Sequence, residues 1–251
     1  MEPLPNTQIA HITETLRRQM AAGALPSGAK LPAERELAAL FDTTRITLKD
    51  ALSMLEAEGL IYREERRGWF VSRPRLVYNP ASRSHFHALV ESQRRRAETR
   101  VLGAEVVVAS SELVAELELA PLSPLFCIRR ARRIDDRVVL HVTHFLRPHL
   151  FPGIERQDLS QSLTELYRRE YGLEYGRSRF DICPTAVRGE AARVLNLAPG
   201  SPVLAVTRIN YDQFGRPLDC DREIWRHDAV RIRIDSDECP SSLSVPLRSA
   251  G

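Results

Sequence analysis

The chain has 251 residues, 43% of them hydrophobic and 27% charged, with a formal net charge of +3 and a pI near 8.8. That length supports two ordinary domains with cores of their own, and no apolar run approaches the roughly 18 residues of a membrane span or forms a signal-peptide core, so a cytoplasmic protein with no membrane partner is expected. The mild basicity admits nucleic acid without demanding it, and the scattered Cys127, Cys183, Cys220 and Cys239 lack a CxxC pair or metal-ligand spacing, which points to reduced thiols, no metal and no cofactor.

Residues 9–22 place Ile9, Ile12, Leu16 and Met20 at helical spacing, and Gly23 with the LPSG turn closes that helix. A short extended piece around Lys30 and Leu31 follows. Pro32 opens a second helix with Glu34 and Glu36 in its first turn, where negative charge suits the macrodipole, and with Leu37, Leu40 and Phe41 as its expected buried stripe. Asp42, Thr43 and Thr44 break the period and offer capping oxygens to a third helix over residues 45–58, with Ile46, Leu52 and Leu55 expected inward and Gly59 as its stop.

Two short helices on a tight link, the second opening with Thr44, Arg45, Thr47 and Lys49, form the pattern of a helix-turn-helix whose second helix enters the major groove. Thr44 and Thr47 suit phosphates or bases, Arg45 can fork onto a guanine, and Lys49 can reach a phosphate. Residues 60–62 and 69–71 read as strands around the charged hairpin Arg63-Glu64-Glu65-Arg66-Arg67-Gly68. This is a wing, and its tip residues Arg66 and Arg67 suit a minor groove or flanking phosphates.

Residues 73–83 (RPRLVYNPASR) read as a linker, in which residues 76–78 can dock as a short strand. Beyond it, strand signals at 101–108, 125–132, 138–145, 203–211 and 218–225 are interrupted by helices at 162–171 and 189–195. Short links such as Asp135-Asp136-Arg137 and Phe214-Gly215-Arg216 imply antiparallel pairing with helices against the sheet, an α+β class.

The segment LPAERELAALFDTTRITLKDALSMLEAEGLIYREERRGWFV resembles the winged-helix head of the GntR family of bacterial repressors, through LPxERxLA, TRxTLxxAL and LExEGLIYRxxxxGxFV. The resemblance implies a dimer on a palindromic operator. It assigns Arg35 to a phosphate contact and brings Arg45, Thr47 and Gly68 near DNA. Residues 84–235 resemble the UTRA effector domain that marks the HutC subfamily, through RxRxxDD at 130–136, SLTELYRREYG from Ser162, and INYDQFGRPLDCDREIWRHDAVRIRID. That likeness implies a chorismate-lyase-like fold with a small-acid or sugar-phosphate pocket between sheet and helices.

In those relatives whose ligand is phosphorylated an RxR strand holds the anion, and Arg130 and Arg132 match its two arginines. Alternate strand residues face one side, and two guanidinium forks suit a phosphate or phosphonate. Ser162 opens a helix whose N-terminus favours anions, and Ser84, His85 and Phe86 match the segment that closes over the ligand. Val142 stands where many relatives carry a glutamate, so a sugar-binding carboxylate is missing there. Asp219 takes the family's closing glutamate position, Asp221 follows on the same strand face, and Trp225 replaces a tyrosine. An arginine pair opposite a carboxylate pair suggests a zwitterion, with Trp225 able to meet its cation. The segments TTRITL, RRGWFV, YNPxxRxHFH and NYDQFGRPLDCDxExWRHDA resemble, within the family, the regulators of 2-aminoethylphosphonate use.

The expected plan is a winged helix-turn-helix domain over 1–73, a linker over 74–83, an effector-binding and dimerisation domain over 84–236 and a flexible tail over 237–251. The expected function is a ligand-responsive transcriptional regulator rather than an enzyme. The alternatives are another effector, such as a urocanate-like acid or an amino-sugar phosphate, or a lyase-like enzyme using His85, His141, His144 and Asp181 as acid and base.

Overall fold

The computed structural model describes residues 5–80, 82 and 85–235; Ser84, Cys239 and the expected tail 237–251 lie outside the described residues. The head comprises α1 (Pro5–Ala21), α2 (Glu34–Leu40) and α3 (Arg45–Ala57), followed by β1 (Ile61–Glu64) and β2 (Gly68–Val71). Thr44 caps α3 as the sequence indicates, whereas α2 begins at Glu34, two residues past Pro32, with Ala33 as its N-cap. The Ala33 amide donates to Glu36 Oε2 at 3.1 Å, and the Thr47 amide donates to Thr44 Oγ1 at 3.2 Å, each satisfying a donor that the first helical turn leaves free.

Leu48, Ala51, Leu52 and Leu55 recur at helical spacing and are fully buried against Ile12 and Leu16 of α1. Each leucine buried this way contributes about 1.5–3 kcal/mol of transfer free energy, which holds α3 in place despite its modest length. Two residues expected in the core are not there. Leu40 is 74% exposed and Ile46 is 75% exposed, while Ala38 takes a buried place on α2. Ile46 lies two residues from Leu48, about 200° around the helix, so it falls on the face opposite the buried stripe.

The wing pairs Ile61 with Val71 and Tyr62 with Phe70, and Lys30 bridges to Phe70 as the extended piece before α2. The chain then forms β3 (Leu76–Tyr78), α4 (Phe86–Ser92), β4 (Ala97–Val108), α5 (Ser111–Glu116), β5 (Pro124–Ile134) and β6 (Arg137–Leu146). After two short 3₁₀ turns come α6 (Leu163–Tyr171), β7 (Tyr175–Ala186), α7 (Gly189–Leu195), β8 (Pro202–Asp212), β9 (Pro217–Arg226) and β10 (Val230–Ile232).

Six strands form one sheet in the order β4-β5-β6-β9-β8-β7, antiparallel throughout, with β6 and β9 at its centre. Period-two alternation separates its faces. On β5 the even-numbered residues, on β6 those from Leu140 to Leu146, and on β9 the odd-numbered ones from Asp219 to Trp225 share a face with α4 and α6; a register shift on β6 turns Val138 to the other face, where Cys127, Cys220 and Ile224 meet α5 and α7. The linker is docked rather than loose. β3 pairs in parallel with β10, and Asp135 of the β5–β6 turn accepts hydrogen bonds from Arg73 at 2.7 Å and Arg95 at 3.1 Å.

Candidate functional site

The residues expected to meet nucleic acid are accessible in the head. Arg35, Thr44, Arg45, Lys49, Arg66 and Arg67 are exposed, and Thr47 and Gly68 are half-buried. Thr44 and Thr47 hydroxyls lie 3.0 Å apart, so the N-cap of α3 also places two hydroxyls beside Arg45. The wing tip turns on Arg66 at φ 61° and Gly68 at φ 100°; an L side chain at 68 would be strained, which explains the glycine. Arg67 pairs with Glu64, anchoring one side of the tip.

A cavity of about 550 Å³ opens between the sheet and helices α4 and α6. Of the effector residues expected from sequence, His85, Phe86, Arg130, Arg132, Ser162, Asp221 and Trp225 line it. Asp219 sits just behind the wall. The two arginines differ in how their donors are used. Arg130 is 1% exposed and spends Nη1 on the carbonyls of Leu159 at 3.2 Å and Gln161 at 2.9 Å, and Nε on His144 Nε2 at 3.0 Å. It therefore fixes the loop that leads into α6. Arg132 makes no hydrogen bond among the described residues, its Nε is buried without a partner, and its guanidinium lies 4.7 Å from the centre of the Phe86 ring.

Because Arg130 donates to His144 Nε2, that imidazole carries its proton on Nδ1, which donates to Asp221 Oδ1. Burial, with the neighbouring Arg130 and Arg132, pushes His144 down to about 3 despite Asp221, so it stays neutral at physiological pH. Asp221 also accepts from Arg208, at 3.0 Å from Nε. Burial disfavours the Asp221 charge, but His144 and Arg208 outweigh it and hold this carboxyl far below the usual range. Asp219 accepts from Tyr175 Oη at 2.8 Å and Asn210 Nδ2 at 2.6 Å. Burial, and then the adjacent Asp221 charge, raise it to about 7.

The expected carboxylate pair is therefore not free to meet a cation. Asp221 is neutralised by Arg208, and Asp219 is held by two neutral donors. Of the buried carboxylates that line the cavity, Asp221 and Glu223, it is Glu223 that has capacity left: Oε2 accepts from Trp225 Nε1 at 2.7 Å, and Oε1 lies 4.0 Å from Arg208. Tyr78 and Phe86 flank Trp225, with ring centroids at 5.8 and 6.4 Å. Trp225 is 2% exposed, its N–H is occupied by Glu223, and it serves as a rigid aromatic wall.

At the mouth, Ser162 Oγ caps α6 by accepting from the Glu165 amide, and His85 caps α4 while its Nε2 lies 3.2 Å from Glu165 Oε1. The α6 N-terminus opens onto the cavity through Ser162, Leu163 and Thr164, so its free amides and dipole favour an anion there. Five arginines, Arg130, Arg132, Arg168, Arg177 and Arg208, line the cavity against four carboxylates, Glu165, Glu174, Asp221 and Glu223, an excess of one positive charge. Burial and then Arg132 bring Arg130 down to about 9.

The residues proposed for acid–base chemistry do not converge. His141 points to the opposite face, 3.5 Å from Glu190 of α7, and Asp181 lines a separate small depression. Val142 is a buried core residue, consistent with an apolar position there. Sequence reasoning missed Tyr78, Tyr175, Arg208, Asn210 and Glu223. Arg208 and Asn210 do alternate on β8, but which residues they oppose on β9 depends on register, with Arg208 beside Asp221 and Asn210 beside Asp219.

A winged helix-turn-helix joined to a sheet domain with a charged, ligand-sized cavity is the architecture of a one-component transcriptional regulator. Family models agree with that class: one described as bacterial regulatory proteins, gntR family, matches residues 8–71, and one described as the UTRA domain matches residues 92–231. The chain belongs to the GntR family, in its HutC-like branch with a UTRA domain. Among curated proteins it is 28% identical over 228 residues to the uncharacterized HTH-type transcriptional regulator YihL of Escherichia coli (strain K12), covering 90% of this chain and 97% of that one. It is also 28% identical to the HTH-type transcriptional repressor NagR of Bacillus subtilis (strain 168), covering 86% of this chain and 89% of NagR. Among solved structures, PhnF from Mycobacterium smegmatis superposes with a TM-score of 0.64 at 23% identity, covering 91% of this chain and all of that one, a likeness of fold. No helix among the described residues is long and apolar enough to cross a membrane.

Proposed function

We propose that this regulator binds a palindromic operator as a homodimer in the cytoplasm, and that a small phosphonate such as 2-aminoethylphosphonate modulates that binding. Arg35, Thr44, Arg45, Thr47, Lys49, Arg66, Arg67 and Gly68 contact the DNA. The observation that carries the effector reading is Arg132, a guanidinium with a buried, unpartnered Nε, which lines the same positively charged cavity as the N-terminus of α6. A phosphonate would take its hydrogen bonds from Arg132, Ser162 and the first amides of α6, while an ammonium would meet Glu223 rather than Asp219 or Asp221. His85 and Phe86 close the mouth. A ligand changes operator binding only through its different affinity for two arrangements of the heads, so the coupling is testable as linkage.

The test is thermal shift and calorimetry on the full chain with 2-aminoethylphosphonate, glucosamine 6-phosphate and urocanate. Stabilisation by the phosphonate together with a change in operator affinity supports the proposal. Stabilisation by urocanate alone overturns the choice of effector, and a monomer in sedimentation overturns the dimer.

A further inference from the structure

Ile46 is the second residue of α3 and is 75% exposed. It belongs neither to the buried core of the head nor to the partly buried residues packed against that core. Its face is regular: Ile46, Lys49, Asp50 and Ser53 recur at helical spacing and all are exposed, opposite Leu48, Ala51, Leu52 and Leu55. Exposed isoleucines are ordinary when isolated, but this one sits between Arg45 and Thr47 in the turn that a recognition helix directs at base edges. An aliphatic side chain has no donor or acceptor. Any hydrogen-bonding edge that it covers loses water and gains nothing, and the apolar feature a major groove offers is the thymine 5-methyl.

We infer that Ile46 is a specificity-determining residue that reads a thymine methyl in each half of the operator. The inference rests on the reading that α3 enters the major groove of duplex DNA. Arg45 and Lys49 supply the charge that seats the helix without selecting this base, and Ile46 supplies the selection.

The experiment uses the full chain and a duplex selected from a random library, in which each thymine is replaced in turn by deoxyuridine, removing only the 5-methyl. One thymine in each half-site is expected to weaken binding about fourfold when replaced, the factor that burial of one methyl group confers. Ile46→Ala is expected to weaken binding by a similar factor and to abolish the deoxyuridine penalty at that position alone, with an unchanged melting temperature. Ile46→Val is expected to keep part of the penalty. The inference is overturned if no thymine replacement matters, or if Ile46→Ala retains the same penalty. It also falls if Ile46→Ala lowers the melting temperature or alters sedimentation of the free protein, because Ile46 then packs inside the head or against a second copy. Failure to select any duplex removes the DNA-binding reading itself, and this inference with it.

Discussion

Arg132 and Arg130 occupy the same strand face two residues apart, yet they should respond differently to removal. Arg132 has donors to spare, so Arg132→Ala is expected to weaken phosphonate binding about 10- to 100-fold, the worth of a charge-assisted hydrogen bond, with operator affinity and melting temperature unchanged. Arg130→Ala should also lower the melting temperature, because the carbonyls of Leu159 and Gln161 lose their donor. Calorimetry and thermal unfolding of both variants separate the two roles. The Asp219–His144 region sets a pH dependence. Asp219 is raised from 3.8 to about 7, so its folded form holds a proton that the unfolded chain releases, and its contribution falls as pH rises through that window. His144 is lowered from 6.5 to about 3, so its contribution falls in the other direction, as pH drops below 6.5. The two partly cancel in the wild type. Asp219→Asn removes the first, and its melting temperature should decline more steeply with acid than the wild type's; parallel curves would refute the assignment. The resemblance to the effector domain pointed to the arginine pair in advance, and strand alternation put both on one face. It could not reveal that Arg208 neutralises Asp221, because that depends on the β8–β9 register, which residue types along either strand leave open.

The third helix carries a cap and a candidate DNA contact in one residue. Thr44 accepts the Thr47 amide and is exposed at the same time. Thr44→Asp keeps a capping oxygen and favours the helix dipole but faces phosphates with a negative charge, so stability should hold while DNA affinity falls at least tenfold. Thr44→Ala should instead cost about 1 kcal/mol of stability. Urea unfolding and DNA titration of the two variants distinguish capping from contact. Leu52→Ala, at a fully buried position, should destabilise the head by about 2–5 kcal/mol. Helices with strong periods and caps, and strands rich in branched residues, were readable from the chain. β7 was not: it is an edge strand, largely exposed, with Gly176 and Pro184 inside it, so neither alternation nor propensity marks it. The short α4 and α5, at 7 and 6 residues, lack the repeated turns that reveal a helix by period. The side of α3 that Ile46 occupies was misread because a single early apolar residue carries no phase; the run from Leu48 to Leu55 sets it.

Across the whole chain, the wing does not stand clear of the sheet domain. Arg226 Nη2 donates to the Arg63 carbonyl at 3.2 Å, and its Nη1 donates to the Leu195 carbonyl at 2.8 Å. Arg137 lies 3.3 Å from the centre of the Tyr62 ring. Arg226 follows Trp225, so one strand meets the cavity and the wing at successive residues. Arg226→Met should leave both domains folded but split the thermal transition in two and reduce the effect of phosphonate on operator affinity; a single transition with full coupling would exclude this route. Tyr78 adds a longer consequence. It belongs to the linker strand that pairs with β10, and it also lines the cavity beside Trp225. Tether and pocket wall thus share a side chain. A descendant that reshapes this corner for a different molecule alters the anchoring of its DNA-binding head in the same mutation, so novel recognition and altered responsiveness are inherited together.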